Sequence, residues 1–361
     1  MFDLTGTPLL VLATTAAVLA LLGAVAVALL RSDQPLRRRL VARALPIGAL
    51  VLVGQLLAMS ALALGVNDQY VFYSSWADLT GHVSQGAAIT TQGLIGTGEG
   101  QVRTATMRKP AVGRDDRMMV WLPPQYSQPA YAHHRFPVVM FLSGQPSSPQ
   151  TAFHQFAFGS TAAAAIAQHK VQPFVAVFPT LMVDPPRDTE CTDIPNGPQA
   201  ESWLARDVPA YLTSHYRVAP LGLSWTVMGW STGGFCATKL VAGHPQEFGS
   251  AVSFGGYYQP LQDHTTGSLF AGRRQLMWHN SPQWLYLHGG GLQGSRLLMV
   301  AGKQDRETWS STASMIRTTA GDSAISHIAF PEGGHNYRNY AAYVGPALAW
   351  SSASWPRGTA M

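Results

Sequence analysis

Trp225-Thr226-Val227-Met228-Gly229-Trp230-Ser231-Thr232-Gly233-Gly234-Phe235-Cys236 is an apolar run, then Gly-x-Ser-x-Gly, then a stretch fit for helix that continues through Ala237, Thr238, Lys239 and Leu240. The spacing has a steric reason. A serine presented on a sharp strand-to-helix turn needs small residues two positions before and two after it, so that strand and helix can close around it. Gly-x-Ser-x-Gly alone is a weak signal, since an ordinary glycine-rich loop reads the same. The strand before it and the helix after it make Ser231 the candidate nucleophile.

A serine hydroxyl at its free pKa is a poor nucleophile and needs a base held by an acid, which in this arrangement follow it in the order acid, then histidine. Leu297-Leu298-Met299-Val300-Ala301-Gly302 reads as a strand and turn leading into Lys303-Gln304-Asp305-Arg306-Glu307. A carboxylate is thereby placed just past a strand end, with Asp305 the first candidate and Glu307 the second. Either would equally suit the first turn of a helix running from about Glu307 to Thr319. The next apolar run, His327 to Phe330, enters Pro331-Glu332-Gly333-Gly334-His335-Asn336-Tyr337. A histidine in a glycine-rich loop after the last strand can reach the serine, so His335 is the candidate base.

Two N–H donors are needed for the oxyanion that forms on attack. Thr232, directly after the serine, supplies one. The other is expected from Ser143-Gly144-Gln145-Pro146 after the run Val138 to Leu142, where Gly144 permits a tight turn and the Gln145 amide can point inward. A plain strand-to-loop turn would look the same.

Further apolar runs, Met118 to Leu122, Phe174 to Phe178 and Ala251 to Phe254, are short and bounded by Gly and Pro, as suits strands buried on both faces. Helical candidates such as Glu201 to Tyr216 and Phe235 to Gly243 separate them. The fold class is therefore α/β, with a mainly parallel sheet flanked by helices. Between Phe254 and Leu297 lies a connection of 42 residues, long enough to be a lid or to carry its own helices. It reads as the wall of an acyl-binding cleft or, equally, as a packed cap. Tyr257 and Tyr258 directly follow a strand end, and with Gly144 and Trp230 they are the expected substrate contacts. No His pair has metal-ligand spacing, and no cofactor is expected.

Ahead of this domain, Pro8 to Leu30 is 23 residues without a charge, about 34 Å as a helix, and Leu45 to Val66 is a second such stretch. Two transmembrane helices, at about 8–30 and 45–66, are expected. A cleaved signal peptide competes for the first, although no Lys or Arg precedes Leu9 and the apolar run is longer than usual for one. Arg31, Arg37, Arg38, Arg39 and Arg43 all lie between the two stretches, which keeps that loop in the cytoplasm and puts the remaining 295 residues outside the cell membrane. The expected domains are an anchor at 1–66, a stalk or linker at 67–100 with the aromatics Tyr70, Phe72, Tyr73 and Trp76, and an extracytoplasmic hydrolase domain at 101–361.

The net charge of +5 is mostly that loop, so it does not mark a nucleic-acid partner. The expected partners are an ester or acyl-lipid substrate and the lipid bilayer. Disorder, a collagen repeat and a disulfide scaffold are excluded by 47% hydrophobic residues, the lack of a Gly-X-Y period and only two cysteines. Charged residues make up 12%, against about 25% in ordinary soluble chains. The deficit extends beyond the anchor, since the outer region also holds all ten Trp and all twelve Tyr. That suits an enzyme working near a lipid or glycan surface. Cys191 and Cys236, outside the membrane, are expected to pair as a disulfide, the alternative being two free thiols.

From roughly Gly100 to Trp350 the chain resembles the esterase family of α/β-hydrolases that includes esterase D and the secreted mycolyltransferases. The resemblance rests on Val120-Trp121-Leu122-Pro123-Pro124-Gln125-Tyr126, Phe141-Leu142-Ser143-Gly144-Gln145 and Glu201-Ser202-Trp203-Leu204-Ala205-Arg206-Asp207-Val208-Pro209. It continues through Gly229 to Gly234, His244-Pro245-Gln246-Glu247-Phe248 and Gly334-His335-Asn336-Tyr337. It implies Ser231, an acid after the seventh strand and His335 as a triad, with the Gln145 and Thr232 amides as oxyanion hole. Many members carry Asp as the acid and mycolyltransferases resemble Glu users, so Asp305 and Glu307 both stay open. Ser143 departs from the Asp typical of mycolyltransferases, which weakens any expectation of their sugar arrangement. Three functions compete: a membrane-anchored extracytoplasmic esterase acting through an acyl-enzyme, a cell-envelope acyltransferase, and an inactive hydrolase-fold binding ectodomain. The complete serine, acid and histidine series disfavours the last.

Overall fold

The computed structural model describes residues 4, 6–30, 36–70, 76–79, 99–108, 111–113, 115–305, 307–331 and 334–357. They belong to two compact units, Met1–Val83 and Ser84–Met361.

In the first unit, Thr7–Leu29 (α1) and Leu36–Tyr70 (α2) form an antiparallel pair. Gly6 N–H donates to Asp68 at one end (2.9 Å) and the Arg43 guanidinium donates to Ala28 O at the other (3.2 Å). Midway, a Cβ on Gly54 would lie 3.0 Å from Leu21. The buried residues of α1 are the small Ala13, Ala17 and Ala24, which let the helix backbones approach closely. Leu12, Leu19, Leu22, Leu29, Leu56 and Leu62 point outward, at least half exposed. Both helices are long and apolar enough to cross a membrane, over Thr7–Leu29 and Ala42–Asp68. The helix runs on through residues 67–70, where the sequence suggested a stalk had begun. Most of the expected stalk, with Phe72 and Tyr73, lies outside the described residues, as do Arg31 and the side chains of Arg37, Arg38 and Arg39.

The second unit is built on one eight-stranded sheet: β1 (Gln101–Met107), β2 (Asp116–Leu122), β3 (Val138–Leu142), β4 (Val175–Pro179), β5 (Gly222–Trp230), β6 (Phe248–Phe254), β7 (Arg296–Gly302) and β8 (Ile325–Phe330). The order across the sheet is β1-β2-β4-β3-β5-β6-β7-β8. β1, β2 and β4 pair antiparallel, and all other neighbours are parallel. This is the mostly parallel α/β-hydrolase sheet with one antiparallel edge. β1 carries Gln101, Arg103 and Thr104 and is largely exposed, so it lacks the buried apolar signature by which the inner strands are recognised in sequence.

Side chains alternate across the sheet, and both faces are covered. Val138, Met140 and Leu142 of β3 pack with Val175, Val177, Trp203, Leu204 and Phe235 on one face. Phe141 turns the other way, into rings of Phe156, Phe158, Phe178 and Phe254 at 5.0–6.2 Å between centroids. The strands' C-terminal ends at the centre of this sheet therefore leave a rigid edge on which loops can hold side chains in place.

β5 ends at Trp230 and the helix Thr232–Gly243 starts one residue later. The tightness of the turn is visible at its glycines. A Cβ on Gly229 would lie 2.1 Å from the Gly233 carbonyl oxygen, and one on Gly233 would lie 2.3 Å from that of Leu142. No side chain fits at either position without moving backbone.

Candidate active site

Ser231 sits on this turn with φ 57° and ψ −122°, a region that costs a non-glycine residue roughly 1–3 kcal/mol and persists only when its surroundings hold it there. Its backbone N–H donates to Phe254 O (2.9 Å), and its carbonyl accepts from Gly234 and Phe235. The side chain is thereby left free to project at the sheet edge. His335 Nε2 lies 2.9 Å from Ser231 Oγ, and His335 Nδ1 lies 2.7 Å from Asp305 Oδ2. Serine, imidazole and carboxylate thus stand in one line, drawn from the ends of β5, β7 and β8.

Asp305 is fully buried. Oδ1 accepts the N–H groups of Glu307 and Thr308 (both 3.1 Å), while Oδ2 also accepts from Thr308 Oγ1 (2.8 Å) and from Tyr340 Oη. Burial by itself would raise its pKa, but the hydrogen bond and charge of His335, with Tyr340 and Thr308, outweigh this and hold the carboxyl below its ordinary value. The other acid candidate is placed differently. Glu307 Oε2 is 3.8 Å from His335 Nε2, the nitrogen facing the serine, and its side chain is 56% exposed. It lies at the rim and does not reach Nδ1. The helix that follows begins at Trp309, two residues later than the sequence suggested, because Asp305 caps the turn before it.

The Gly144 turn lies against the elbow: a Cβ there would be 2.6 Å from the Trp230 ring and 3.2 Å from Ser231 Cβ. Thr232 directly follows Ser231, and Gln145 directly follows the Gly144 that meets it; no hydrogen bond from either backbone N–H is found among the described residues.

Three of the expected substrate contacts are placed elsewhere. Trp230 is 1% exposed and stacks behind His335, with ring centroids 4.6 Å apart, so it fixes the plane of the imidazole. Tyr258 is likewise 1% exposed, with its hydroxyl on Ser253. Tyr257 is buried against Phe235, its hydroxyl within reach of Glu190 and Thr232. All three are buried in the packing around the site, Trp230 at the end of β5 against His335, and Tyr257 and Tyr258 after β6 against Phe235 and Ser253. That connection does carry helices of its own, Arg274–His279 and Pro282–His288.

Tyr340 and Thr308, which bind Asp305, were not singled out from the sequence. A tyrosine five residues past the histidine carries no type signal, and only the fold brings it to the carboxylate. The same holds for a buried set behind the elbow. Lys239 Nζ donates to Cys191 O (2.8 Å) and to Asn280, and it pairs with Glu201 Oε2 at 3.0 Å.

Cys191 and Cys236 are joined in a disulfide with Cα atoms 6.0 Å apart, tying the loop after β4 to the elbow helix across 45 residues of chain. Closing a loop of that length stabilises by about 4 kcal/mol on the chain-entropy estimate. The Cys191→Ser, Cys236→Ser double variant should lose stability of that order in urea unfolding. A loss under about 1 kcal/mol would show that the reduced chain already holds this loop in place.

The strained serine elbow, the imidazole against it and the buried carboxylate behind define a protein of the serine hydrolase class on an α/β-hydrolase fold. Residues 110–350 match the family described as "Putative esterase". The chain belongs to this family, whose members are serine hydrolases, esterases or acyltransferases. An uncharacterized protein of Corynebacterium glutamicum is 23% identical over 244 residues, covering 62% of this chain and 55% of that protein. The MPT51/MPB51 antigen of Mycobacterium tuberculosis is 34% identical over 78 residues, 22% of this chain and 25% of the antigen. The chain thus spans about half and a quarter of the lengths of these two relatives. Among solved structures, a ferulic acid esterase superposes with a TM-score of 0.63 at 15% identity, over 71% of this chain and 99% of its own. An S-formylglutathione hydrolase from Agrobacterium tumefaciens does so with 0.61 at 16%, over 72% and 97%. At these identities the two structures speak for the fold.

Proposed function

We propose that the protein is a membrane-anchored, extracytoplasmic serine esterase working through Ser231, His335 and Asp305. The single observation that carries this reading is the unbroken line of hydrogen bonds from Ser231 Oγ through both nitrogens of His335 to Asp305. His335 Nε2 takes the Ser231 proton as Oγ attacks the ester carbonyl carbon. The carbonyl π pair moves to oxygen, and the Gln145 and Thr232 N–H groups receive that oxyanion. Collapse expels the alkoxide, which leaves with the proton from His335, and an acyl-enzyme remains. Water, deprotonated by the same imidazole, then releases the acid and restores Ser231. Asp305 holds the imidazole with Nδ1–H inward and stabilises its charged form.

The apolar exterior of the α1–α2 pair supports a bilayer anchor, and the arginines from Arg31 to Arg43, at the start of α2 and just before it, support a cytoplasmic position for that end of the pair. The full-length chain in detergent should take up a fluorophosphonate probe and hydrolyse p-nitrophenyl esters; inertness in both assays would overturn the esterase reading. For topology, a membrane-impermeant thiol reagent applied to whole cells should miss a cysteine engineered at Ser32 in a chain whose native cysteines are paired. Labelling there would reverse the orientation.

A second reading, transfer of the acyl group to a sugar or lipid hydroxyl, is favoured by the local similarity to the mycobacterial antigen. Supplying acyl ester together with a glycan or glycolipid acceptor separates the two. Acyl product found only as free acid, whatever the acceptor, would leave hydrolysis.

A further inference from the structure

A line of four buried polar side chains passes through Thr232 and takes no part in the relay above. Thr232 Oγ1 lies 3.1 Å from Asp188 Oδ2 and 3.2 Å from Tyr257 Oη, and Tyr257 Oη is bonded to Glu190 Oε1. Backbone N–H groups occupy the outer oxygens: Glu190 donates to Asp188 Oδ1 (2.8 Å) and Leu261 to Glu190 Oε2 (3.2 Å). Exposure is 4% at Thr232, 4% at Asp188, 0% at Glu190 and 8% at Tyr257, so the line is shielded from bulk solvent. Glu190 and Cys191 have φ of 48° and 46°, and the disulfide at Cys191 pins this loop to the elbow helix.

Counting protons decides the state of this line. The three contacts Glu190–Tyr257, Tyr257–Thr232 and Thr232–Asp188 each need one proton, while the two hydroxyls supply two. If both carboxylates are ionised, one contact sets oxygen against oxygen with nothing between. If one acid is protonated, all three are satisfied in a single direction. We infer that the Asp188–Glu190 pair holds one proton, carried by Glu190, and that the ordered chain Glu190 to Tyr257 to Thr232 to Asp188 fixes the turn presenting the Thr232 N–H to the reacting oxygen. Asp188 is the anionic end because it meets the N-terminal turn of the twelve-residue elbow helix.

The surrounding charges agree. Lys239, which faces Glu190, is matched by Glu201 at 3.0 Å. Burial first, and the negative charge of Asp263 last, raise Asp188 as well, against the hydrogen bonds from the Glu190 N–H and Thr232, so the two acids together favour keeping a proton. Burial first, then the Asp188 carboxylate, push Glu190 up to about 8, against the smaller opposing pull of Tyr257, Leu261 and Lys239. Glu190, Tyr257 and Asp188 are positioning residues, acting through Thr232. The inference rests on the Thr232 N–H being an oxyanion donor.

The test is a set of pH profiles on the full-length chain in detergent. For the unaltered enzyme, kcat should fall on the alkaline side with a midpoint near pH 8 as the proton leaves. In Glu190→Gln the amide donates to Tyr257 without titrating, so that alkaline limb should vanish. Tyr257→Phe should lower kcat roughly tenfold with KM kept, since the oxyanion exists only beyond the ground state. Infrared spectra need no activity: the unaltered protein should show a protonated carboxylic-acid carbonyl band at pH 7 that disappears as pH passes 8, and Glu190→Gln should lack it. Stability gives the matching sign. Between the ordinary glutamate value and about 8 the folded chain keeps a proton the unfolded chain has lost, so stability falls as pH rises across that window, and Glu190→Gln removes the fall. An alkaline limb identical in Glu190→Gln, or no carboxylic-acid band removed by it, would overturn the inference. Should Ser231→Ala retain activity while the band behaves as stated, the esterase reading fails and the proton-ordered chain stands.

Discussion

Ser231→Ala lowers the rate of ester hydrolysis by roughly 10⁶-fold and abolishes fluorophosphonate labelling, while the unfolding midpoint holds or rises. The rate loss follows from removing the only atom that forms the acyl-enzyme; what remains is the polarisation of the carbonyl by the backbone donors and the binding of the ester. The stability effect follows from where the side chain sits. Ser231 is held at φ 57° by its backbone bonds to Phe254, Gly234 and Phe235, and the hydrogen bond of Oγ is to His335. Alanine occupies that strained conformation at much the same cost as serine, so folding is spared. Burst kinetics with a p-nitrophenyl ester and intact-protein mass after labelling read both consequences. Labelling that survives the substitution would remove Ser231 from the nucleophile's place.

The second large effect separates two carboxylates that the sequence leaves as rivals. Asp305→Asn should lower kcat by roughly 10⁴-fold, because an amide facing Nδ1 leaves the imidazole with the wrong tautomer and uncompensated when it charges. Glu307→Gln should change kcat/KM by less than about tenfold, since an exposed charge near the ring is screened by solvent. The reverse order would make Glu307 the working acid. Asp305 also carries a pH signature with a definite sign. Its folded pKa lies below its unfolded one, so its contribution to stability is complete above the ordinary carboxylate range and is lost as pH falls through the folded value. Asp305→Asn should therefore flatten the acid side of the stability profile, which urea midpoints taken across the acid range measure directly.

Much of this site is local in sequence. The elbow is legible because much of its geometry is made by neighbours: Gly229 is needed where its own turn leaves 2.1 Å for a Cβ, while Gly233 is needed where β3 comes within 2.3 Å. The inner strands are legible because burial on both faces demands unbroken apolar runs, as in Val138 to Leu142. β1 is not, because an exposed edge strand tolerates Gln, Arg and Thr. Tyr257, Tyr258 and Trp230 mislead for the opposite reason. A large aromatic beside a nucleophile reads as a substrate contact, and whether it faces the cleft or the core depends on which way the backbone leaves the strand.

By itself the amino-acid sequence determined the fold class, the two apolar helices ahead of it, and the serine, histidine and two possible acids. Each of these is written in residue type and short-range spacing, which local sterics and hydrophobic burial translate directly into structure. Only the tertiary structure sets Asp305 against Nδ1 of His335 and Glu307, two residues on, nearer Nε2, because that difference is the face of the imidazole each one meets. It also decided that Tyr340 supports the acid and that Asp188, Glu190 and Tyr257 converge on Thr232. The side-chain pairs they bond in lie 25 to 67 residues apart in the chain. Their proximity is set by how sheet, elbow helix and disulfide-pinned loop pack together, and burial turns that proximity into chemistry.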